Sequence, residues 1–341
     1  RRLGLSRHCR SLLLGRPGFG NVSMGRLFSS SSVPGSEFEY DVIVVGGGHA
    51  GCEAAAASAR MGARTALVTQ RLDTIGEMSC NPSVGGIGKG TLVREVDALD
   101  GLMARVTDRA GIQFRVLNSS RGPAVQAPRV QVDRDLYKAG MWQEIQNLCE
   151  NFNFSVVQAS VHDLLLDSDT NIVQGIETKD GEKITAKSVV LTAGTFLRGR
   201  IHLGHHSYPA GRLQRGQDQE AEPPSTGLAL TLERLNFPLA RLVTGTPPRI
   251  ARDSIDYSHL VVQYSDDPPK PMSFLNNQTT FEKLPTDEFD GSALPTTWHR
   301  NAELSGTPVA RGELLGCHQT STTTVWCTFF CFESFAPHLS P

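Results

Sequence analysis

The hydrophobic and polar positions after residue 40 predict a strand, a helix and a second strand in close succession. Residues 41–45, DVIVV, form a short β-branched run that is typical of a buried parallel strand. Glycines follow, and then the alanine-rich run AGCEAAAASARMG, which we expect to be a helix ended by Gly62. The run TALVT is the second strand. Together these elements make a complete βαβ unit of about 30 residues.

The turn between the first strand and the helix carries the motif G-x-G-x-x-G, formed by Gly46, Gly48 and Gly51. Gly46 permits a tight turn, Gly48 lets the backbone approach a pyrophosphate, and Gly51 lets helix and strand pack closely. This context predicts dinucleotide binding at the helix N-terminus, the alternative being a purely structural turn. The second strand ends at Gln70 rather than at the usual acid, but an amide can still hydrogen-bond a ribose.

The pattern farther along the chain predicts that a later strand returns to the same sheet. Short strands joined by turns occupy residues 154–199, with KDGE as a hairpin turn and SVVLTAG as a buried run. A strand that ends in small residues in this way is typical of flavoproteins with two dinucleotide-binding motifs. Residues 211–226 are polar and rich in proline, which predicts a loop, and a helix should follow with Ser225 or Thr226 as its N-cap.

The composition is that of a globular protein, with an atypical segment at each end of the chain. The chain has 341 residues, a net charge of −2, and no apolar run long enough to span a bilayer. Residues 1–36 are rich in Arg and Ser and contain no acid, which predicts a mitochondrial transit peptide rather than a disordered basic tail. Residues 277–341 lack helical or strand periodicity. The cysteines are odd in number and scattered, which favours reduced thiols: Cys9, Cys52, Cys80, Cys149, Cys317, Cys327 and Cys331.

Residues 78–90, MSCNPSVGGIGKG, superficially match a phosphate-binding P-loop. With Lys89 as the anchor, the first required glycine would fall on Ser83, and the residue after the lysine is Gly90 instead of Ser or Thr. Both departures argue against nucleoside triphosphate hydrolysis. Cys80 then has two interpretations, a reactive thiol activated by nearby backbone N–H groups and Lys89, or a small buried hydrophobic residue.

Several long motifs together resemble the MnmG/GidA family: DVIVVGGGHAGCEAA, MSCNPSVGGIGKGTLVREVDALDGLMARVTDRAGIQFRVLNSSRGPAV, VVLTAGTFLRGRIHLG and TGTPPRI. The resemblance runs from about Tyr40 to Leu275. It implies an α/β fold. The expected architecture is a Rossmann-like FAD-binding domain, of the type found in two-dinucleotide-binding flavoproteins, with an inserted domain that is mostly β.

The resemblance also implies an activity, FAD-dependent modification of the wobble uridine of tRNA at C5. NADH and methylene-tetrahydrofolate are the implied co-substrates, and an amine such as glycine, ammonia or taurine completes the group. The implied partners are a mitochondrial tRNA, an MnmE-type GTPase and a second copy of the chain, with no membrane and no metal. Two other hypotheses remain, a general NADH-linked flavin oxidoreductase and a truncated, inactive isoform.

The family's functional positions transfer to this sequence one by one. FAD contacts fall on Gly46, Gly47, Gly48, His49, Ala50, Gly51, Val161 and Ser225. Cys80 corresponds to one of two functional cysteines of the family, as either a nucleophile toward C6 of the uracil or a proton donor. Six arginines between residues 105 and 134 have two interpretations. They bind phosphates of tRNA or FAD, or they form a solvated helical face: Arg105, Arg109, Arg115, Arg121, Arg129 and Arg134.

The sequence departs from the family at three places. The loop after Gly211 is longer, and Val243 stands where the family has lysine. The third departure is that the second functional cysteine and the later family segments are absent after Leu275. We therefore expect residues 37–276 to form the FAD-binding domain with part of the inserted domain. Residues 277–341 would be an unrelated, disordered tail from an alternative exon or shifted frame, the alternative being a divergent folded end.

The remaining cysteines carry weaker hypotheses. Cys52 lies in the alanine-rich helix and is expected to serve packing alone. Cys317, His318, Cys327 and Cys331 contain no closely spaced Cys-x-x-Cys pair, so the sequence does not support a metal site there.

Overall fold

A computed structural model describes residues 26–27, 38–79, 82–213, 221–245, 254–256, 258, 260, 263–276, 318–324 and 331–332. The elements of the first half are β1 (Arg26–Leu27), β2 (Tyr40–Val45), α1 (His49–Arg60), β3 (Thr65–Thr69), β4 (Ser83–Gly85), α2 (Lys89–Ala98), α3 (Met103–Ala110), β5 (Gly111–Leu117), β6 (Ala127–Val132), α4 (Arg134–Asn151) and β7 (Phe154–Gln158). The elements of the second half are β8 (Val161–Leu166), β9 (Val173–Thr178), β10 (Lys183–Leu191), β11 (Arg200–Leu203), β12 (His206–Pro209), β13 (Arg212–Leu213), β14 (Ala221–Glu222), α5 (Gly227–Arg234), β15 (Ala240–Gly245), β16 (His318–Thr324) and β17 (Cys331–Phe332).

The central sheet has the order β1-β7-β3-β2-β10-β9-β8, and β17 also pairs with β10. Strands β7, β3, β2 and β10 are parallel, whereas β8, β9 and the first part of β10 form an antiparallel meander. The predicted βαβ unit is therefore confirmed as β2, α1 and β3. The buried run SVVLTAG is also confirmed as a strand, because β10 returns beside β2.

Both faces of the parallel strands are covered, as their uninterrupted apolar runs require. One face carries Val44, Leu67 and Val156, which pack in the same core cluster as buried residues of α1 and α4. The other face carries Ile43, Val68 and Val189, which pack in a second cluster with the meander and α5. The small buried side chains of α1, three alanines and Cys52, allow this helix to lie close to the sheet.

Antiparallel strands make up the smaller sheets. Between β3 and β7 the chain inserts a sheet of order β4-β6-β5, and after β10 it forms a second sheet of order β12-β11-β16-β15. The mixed α/β class with additional β structure agrees with the predicted fold. Strands β16 and β17 lie within the predicted tail, and the predicted domain boundaries remain predictions.

One local prediction needs correction, and a second is confirmed in position but without the expected side-chain hydrogen bond. Residues 211–226 are not a loop throughout, because β13 pairs with β14 through Arg212↔Glu222 and Leu213↔Ala221. The helix α5 does begin after Thr226, but no side chain caps its N-terminus by a hydrogen bond. The oxygen of Thr226 therefore does not serve the capping role that the sequence suggested.

Two carboxylates, Asp97 on α2 and Asp108 on α3, attach the segment 271–276 to the rest of the fold. Asp108 accepts hydrogen bonds from the backbone N–H groups of Met272 (2.7 Å) and Ser273 (2.9 Å) and from the Asn276 amide (2.9 Å). Asp97 accepts hydrogen bonds from the hydroxyl of Ser273 (2.6 Å) and from the N–H of Phe274 (2.8 Å). Burial raises the pKa of Asp108, and these donors oppose that change by favouring the charged form.

The amino ends of the parallel strands are connected by Asp41. Its carboxylate accepts hydrogen bonds from the Arg64 backbone N–H (2.9 Å), from Arg64 Nε (3.1 Å) and from Arg64 Nη2 (3.0 Å). Lys187 Nζ on β10 lies 2.9 Å from the same carboxylate. Hydrogen bonding to Arg64 is the main reason that the pKa of Asp41 lies well below its usual range.

Replacing Asp41 should therefore destabilise the protein in a pH-dependent way. The depressed pKa of Asp41 contributes stability above about pH 4 that is lost as pH falls through the folded-state pKa. We expect Asp41→Asn to lower the free energy of unfolding by about 1–2 kcal/mol at about pH 7, with a smaller difference at about pH 3. Urea unfolding at both pH values measures the effect. The exposed Asp169→Asn is the control, and an equal loss at both pH values would contradict this account of Asp41.

Candidate functional site

The candidate site lies where the parallel strands β2, β3 and β10 end. The N–H of Gly46 donates to the carbonyl of Val68 (2.8 Å), and the N–H of Thr192 donates to the carbonyl of Val45 (2.9 Å). Ligands of open α/β sheets bind at this carboxyl edge, because the turns that leave the strands open outward there.

The first turn of α1 crosses the end of β2 at very short range. A Cβ atom on Gly51 would lie 1.7 Å from the carbonyl oxygen of Gly46. A Cβ atom on Gly46, whose φ is +114°, would lie 2.6 Å from the carbonyl oxygen of Thr192. The Thr192 hydroxyl also donates to the carbonyls of Val45 (2.7 Å) and Gly46 (3.1 Å). Gly46 and Gly51 are therefore required for packing of the strand, the helix and the returning strand β10.

Gly48 has a different environment. It is exposed, it occupies the N-cap position of α1, and a Cβ atom built on it would meet nothing within 4 Å. No side chain caps the helix, and its first turn contains no acid. A helix N-terminus with free backbone donors favours an anion, and the absent side chain leaves room for one to approach. Gly48 therefore fits the pyrophosphate position of a bound dinucleotide.

Gln70 and Ser225 meet beside this turn. Gln70 Nε2 donates to the hydroxyl of Ser225 over 3.4 Å. The backbone of Ser225 is fixed by Phe196, whose carbonyl accepts its N–H (2.8 Å), and by Arg198, whose N–H donates to its carbonyl (3.0 Å). The structure thus brings together two of the sequence-predicted positions, the amide at the end of β3 and the serine before α5.

Val161 and His49 point their side chains into the protein. Val161 begins β8 at the edge of the second core cluster, and its side chain is buried. The His49 ring lies 5.5 Å from the Tyr137 ring, and its buried Nε2 atom has no hydrogen-bond partner among the residues that the structure describes. Burial lowers the pKa of His49, and the nearby Glu77 carboxylate partly opposes this change. These two side chains therefore pack in the interior of the protein. Ala50, by contrast, is exposed beside Gly48.

Cys80, the predicted catalytic residue, lies outside the described residues, as does Asn81. The residue before Cys80 is described, and Arg212 Nη1 donates to the Ser79 hydroxyl over 3.4 Å. The Arg212 guanidinium also binds the buried Glu222 carboxylate through two hydrogen bonds of 2.8 and 3.0 Å and lies 5.4 Å above the Phe196 ring. Arg212 thus connects the start of this loop with the turn that supports Ser225.

Sequence reasoning missed Arg212, Glu222 and Thr192. The sequence did not reveal the contact between Arg212 and Glu222, because the two residues stand at opposite ends of an unusually long loop. Only the pairing of β13 with β14 shows this contact. Thr192 did carry a signal, because it is the polar residue that ends the buried run SVVLTAG.

The glycines after Ser83 divide into two types. A Cβ atom on Gly85 or Gly90 would approach the Pro128 carbonyl oxygen to 2.3 or 2.4 Å, so these two glycines permit close packing. Gly86 and Gly88 have positive φ angles of +106° and +73° and open space around them. Gly88 is exposed at the start of α2, whereas Gly86 is buried, and the positive φ angles of both glycines serve the turn of the backbone.

The two thiols whose side chains the structure describes, those of Cys52 and Cys149, are unreactive. Cys52 is fully buried, and burial raises its pKa to about 12. Cys149 is half-buried, and burial likewise raises its pKa to about 12. The prediction that Cys52 serves packing is confirmed, because a thiol with such a pKa supplies almost no thiolate near neutral pH. In the part of the chain that the structure describes, no cluster of metal-ligating residues occurs and no helix is long and apolar enough to cross a membrane.

The strand-turn-helix geometry, the accessible Gly48 and the returning strand β10 define a dinucleotide-binding protein of Rossmann type. The sequence comparison specifies the family. The chain belongs to the family described as glucose inhibited division protein A, whose model matches residues 41–291. This match extends beyond Leu275, where the resemblance of motifs ends.

Relatives from bacteria and mammals support this assignment. The chain is 55% identical over 246 residues to the tRNA uridine 5-carboxymethylaminomethyl modification enzyme MnmG of Granulibacter bethesdensis, covering 72% of this chain and 38% of that protein. It is 49% identical over 278 residues to the mitochondrial 5-taurinomethyluridine-[tRNA] synthase subunit MTO1 of Mus musculus, covering 78% of this chain and 40% of that protein.

A solved structure of Aquifex aeolicus GidA superposes with a TM-score of 0.63 at 47% identity, covering 69% of this chain and 37% of that one. The chain therefore spans well under half of the length of these three relatives.

The two kinds of glycine in the turn predict very different effects of the same substitution on stability. Gly51→Ala should lower the free energy of unfolding by about 3 kcal/mol or more, because its methyl group would overlap the Gly46 carbonyl. Gly48→Ala should change it by less than about 0.5 kcal/mol, because its methyl group meets no atom. Chemical denaturation of both variants measures the difference. Equal destabilisation of the two variants would contradict the packing role assigned to Gly51.

Proposed function

We propose that the chain binds FAD at the Gly48 turn and takes part in modification of the wobble uridine of tRNA at C5. The observation that carries this proposal is the 55% identity to an MnmG enzyme over 72% of the chain. The residues that the family model matches, 41–291, include the dinucleotide turn and the segment SCNPSVGGIGKG. The accessible N-terminus of α1 supports the cofactor assignment independently, because it suits a pyrophosphate.

The residues proposed to hold FAD do so mainly through backbone groups. Gly46, Gly47, Gly48, His49, Ala50 and Gly51 form the turn, and the N–H groups at the start of α1 would bind the pyrophosphate. Gln70 and Ser225 would bind a ribose of FAD, because their polar side-chain atoms meet each other at the end of β3. Val161 would contribute its backbone, because its side chain belongs to the core.

FAD supplies the redox chemistry of this reaction when bound, with NADH as its reductant and methylene-tetrahydrofolate as the one-carbon donor. Cys80 is proposed as the catalytic thiol. As a nucleophile, its sulfur would bond to C6 of the uracil, and the electron pair of the C5–C6 double bond would move toward C5 and the O4 carbonyl. C5 could then form a bond to carbon, and loss of the C5 proton would release the thiolate. As an acid, it would instead protonate a leaving group.

The cellular setting is part of the same proposal. The mitochondrial relatives at about 50% identity, together with the basic, acid-poor residues 1–36, support a mitochondrial location and a transit peptide. The proposed partners are a mitochondrial tRNA, an MnmE-type GTPase and a second copy of the chain. The proposed FAD-binding domain covers residues 37–276, and residues 277–341 form the proposed tail.

The flavin and the product of the full chain test this function together. We expect the purified protein to carry flavin absorbance, to oxidise NADH, and to form modified uridine on an unmodified tRNA supplied with methylene-tetrahydrofolate and an amine. The measurements are the visible spectrum and nucleoside analysis of the tRNA. Yellow protein that oxidises NADH without a tRNA product would favour a general flavin oxidoreductase. Colourless protein would favour an inactive isoform.

The thiol of Cys80 has a separate test. Cys80→Ser should reduce uridine modification by at least about 100-fold, because a hydroxyl is a far poorer nucleophile and proton donor near neutral pH. The flavin content should stay unchanged. Cys149→Ser is the matched control, since its half-buried thiol has a raised pKa and lies on α4. Full tRNA modification by Cys80→Ser would remove Cys80 from the reaction.

A further inference from the structure

The structure separates the arginines between residues 105 and 134 by their partners. Arg105 is ion-paired with Asp100 at 3.3 Å, and Arg109 is ion-paired with Glu144. Arg115 and Arg129 differ, because among the residues that the structure describes neither guanidinium lies within ion-pair distance of a carboxylate. Arg115 Nη1 donates to the carbonyl of Tyr264 (3.0 Å), and Arg129 Nη2 lies 3.0 Å from the Gln131 side-chain amide, whose oxygen accepts from it when that amide is flipped.

These two arginines lie directly opposite each other on neighbouring strands. In the sheet β4-β6-β5, Arg115 pairs with Arg129, and Arg129 pairs on its other side with Gly85. Side chains at such paired positions have Cβ atoms about 5 Å apart, and like charges placed there destabilise the sheet. The charges are therefore not explained by folding, and an anionic ligand would remove the repulsion.

The face that carries the arginines does not form the core. Val84, Phe114 and Val130 point to the opposite face of the sheet and pack in the first core cluster. The arginine face also carries Gln113 and Gln131, which are buried, whereas Arg115 and Arg129 are partly exposed. Gly85 adds no side chain to this row, although the Met272 side chain packs close to it, and Arg129 is partly exposed.

An acid does lie near this edge of the sheet, but it has another partner. Asp266 Oδ2 accepts the backbone N–H of Val116 over 2.7 Å, and the Asp266 N–H donates to the carbonyl of Phe114 over 2.8 Å. The Asp266 carboxylate thus joins the segment 263–266 to β5 and is not ion-paired with Arg115 in the described part of the chain. The row of arginines keeps its positive charge.

Two neighbouring features favour a nucleic acid over a small anion. Arg121 is exposed on the loop that connects β5 with β6, which extends the positive charge beyond the sheet. Tyr264, whose carbonyl binds Arg115, has a side chain that is 69% exposed. Spaced guanidinium groups with an exposed aromatic ring are the combination that binds a phosphate backbone and stacks on unpaired bases.

We propose that Arg115 and Arg129 bind backbone phosphates of the tRNA substrate, with Arg121 and Tyr264 beside them. This inference rests on the proposed function. It places the RNA backbone against the sheet formed by β4, β6 and β5, whose first strand begins three residues after Cys80 in the chain. Phosphate contacts here would set the register of the RNA, while the base is read elsewhere.

The test is the salt dependence of binding between the full chain and an anticodon stem-loop RNA. Each variant, Arg115→Gln or Arg129→Gln, should reduce the slope of log affinity against log salt by about 0.7–0.9, and the double variant by about twice that amount. Flavin content should not change. The urea midpoint should stay equal or rise, because the substitution removes a like-charge pair. Lys183→Gln, an exposed charge on the β9–β10 hairpin, is the control and should leave the slope unchanged.

The possible failures are distinguishable. RNA binding by the wild type with unchanged slopes in both arginine variants would overturn this inference and leave the proposed function intact. A lowered urea midpoint with an unchanged slope would assign the arginines a structural role instead, which also overturns the inference. A wild-type chain that fails to bind the RNA at all would overturn the inference and the tRNA substrate of the proposed function together.

Discussion

The close crossing of α1 over the end of β2 is the constraint on which the rest of the site depends. The Gly51 backbone lies so near the Gly46 carbonyl that no side chain fits between them, and Thr192 on the returning strand closes the same contact. This packing fixes the direction of the helix. It also brings the N-terminus of α1 to the carboxyl edge of the sheet, where Gly48 leaves it accessible.

Other parts of the fold bring distant segments to that edge. The return of β10 beside β2 places residues 192–198 there, and their backbone contacts hold Ser225 next to Gln70. Arg212 joins the same turn to Ser79, immediately before Cys80 in the chain. The buried Glu222 fixes the guanidinium by two hydrogen bonds, so this connection has a defined geometry. The turn that holds Ser225 is therefore connected to Ser79, the residue before Cys80 in the chain.

The βαβ unit and its glycines were predictable from the sequence because their signals are local. A β-branched run, a glycine turn and an alanine-rich helix each depend on residues a few positions apart. The Arg212–Glu222 pair was not predictable, because it forms across an unusually long loop. The roles of the arginines likewise needed the strand register, since only the pairing of β5 with β6 places Arg115 opposite Arg129. The sequence predicted Ser225 or Thr226 as the N-cap of α5, and Thr226 holds that position, but local preference does not reveal whether a capping hydrogen bond forms.

The most direct test of this account is the affinity of the flavin-free chain for FAD in the wild type and in Gly48→Val. Titration followed by flavin fluorescence measures both dissociation constants. The added side chain would occupy the space in front of the N-terminus of α1, so the account predicts at least about tenfold weaker binding, which is about 1.4 kcal/mol. Equal dissociation constants for the two proteins would contradict the placement of the pyrophosphate at Gly48.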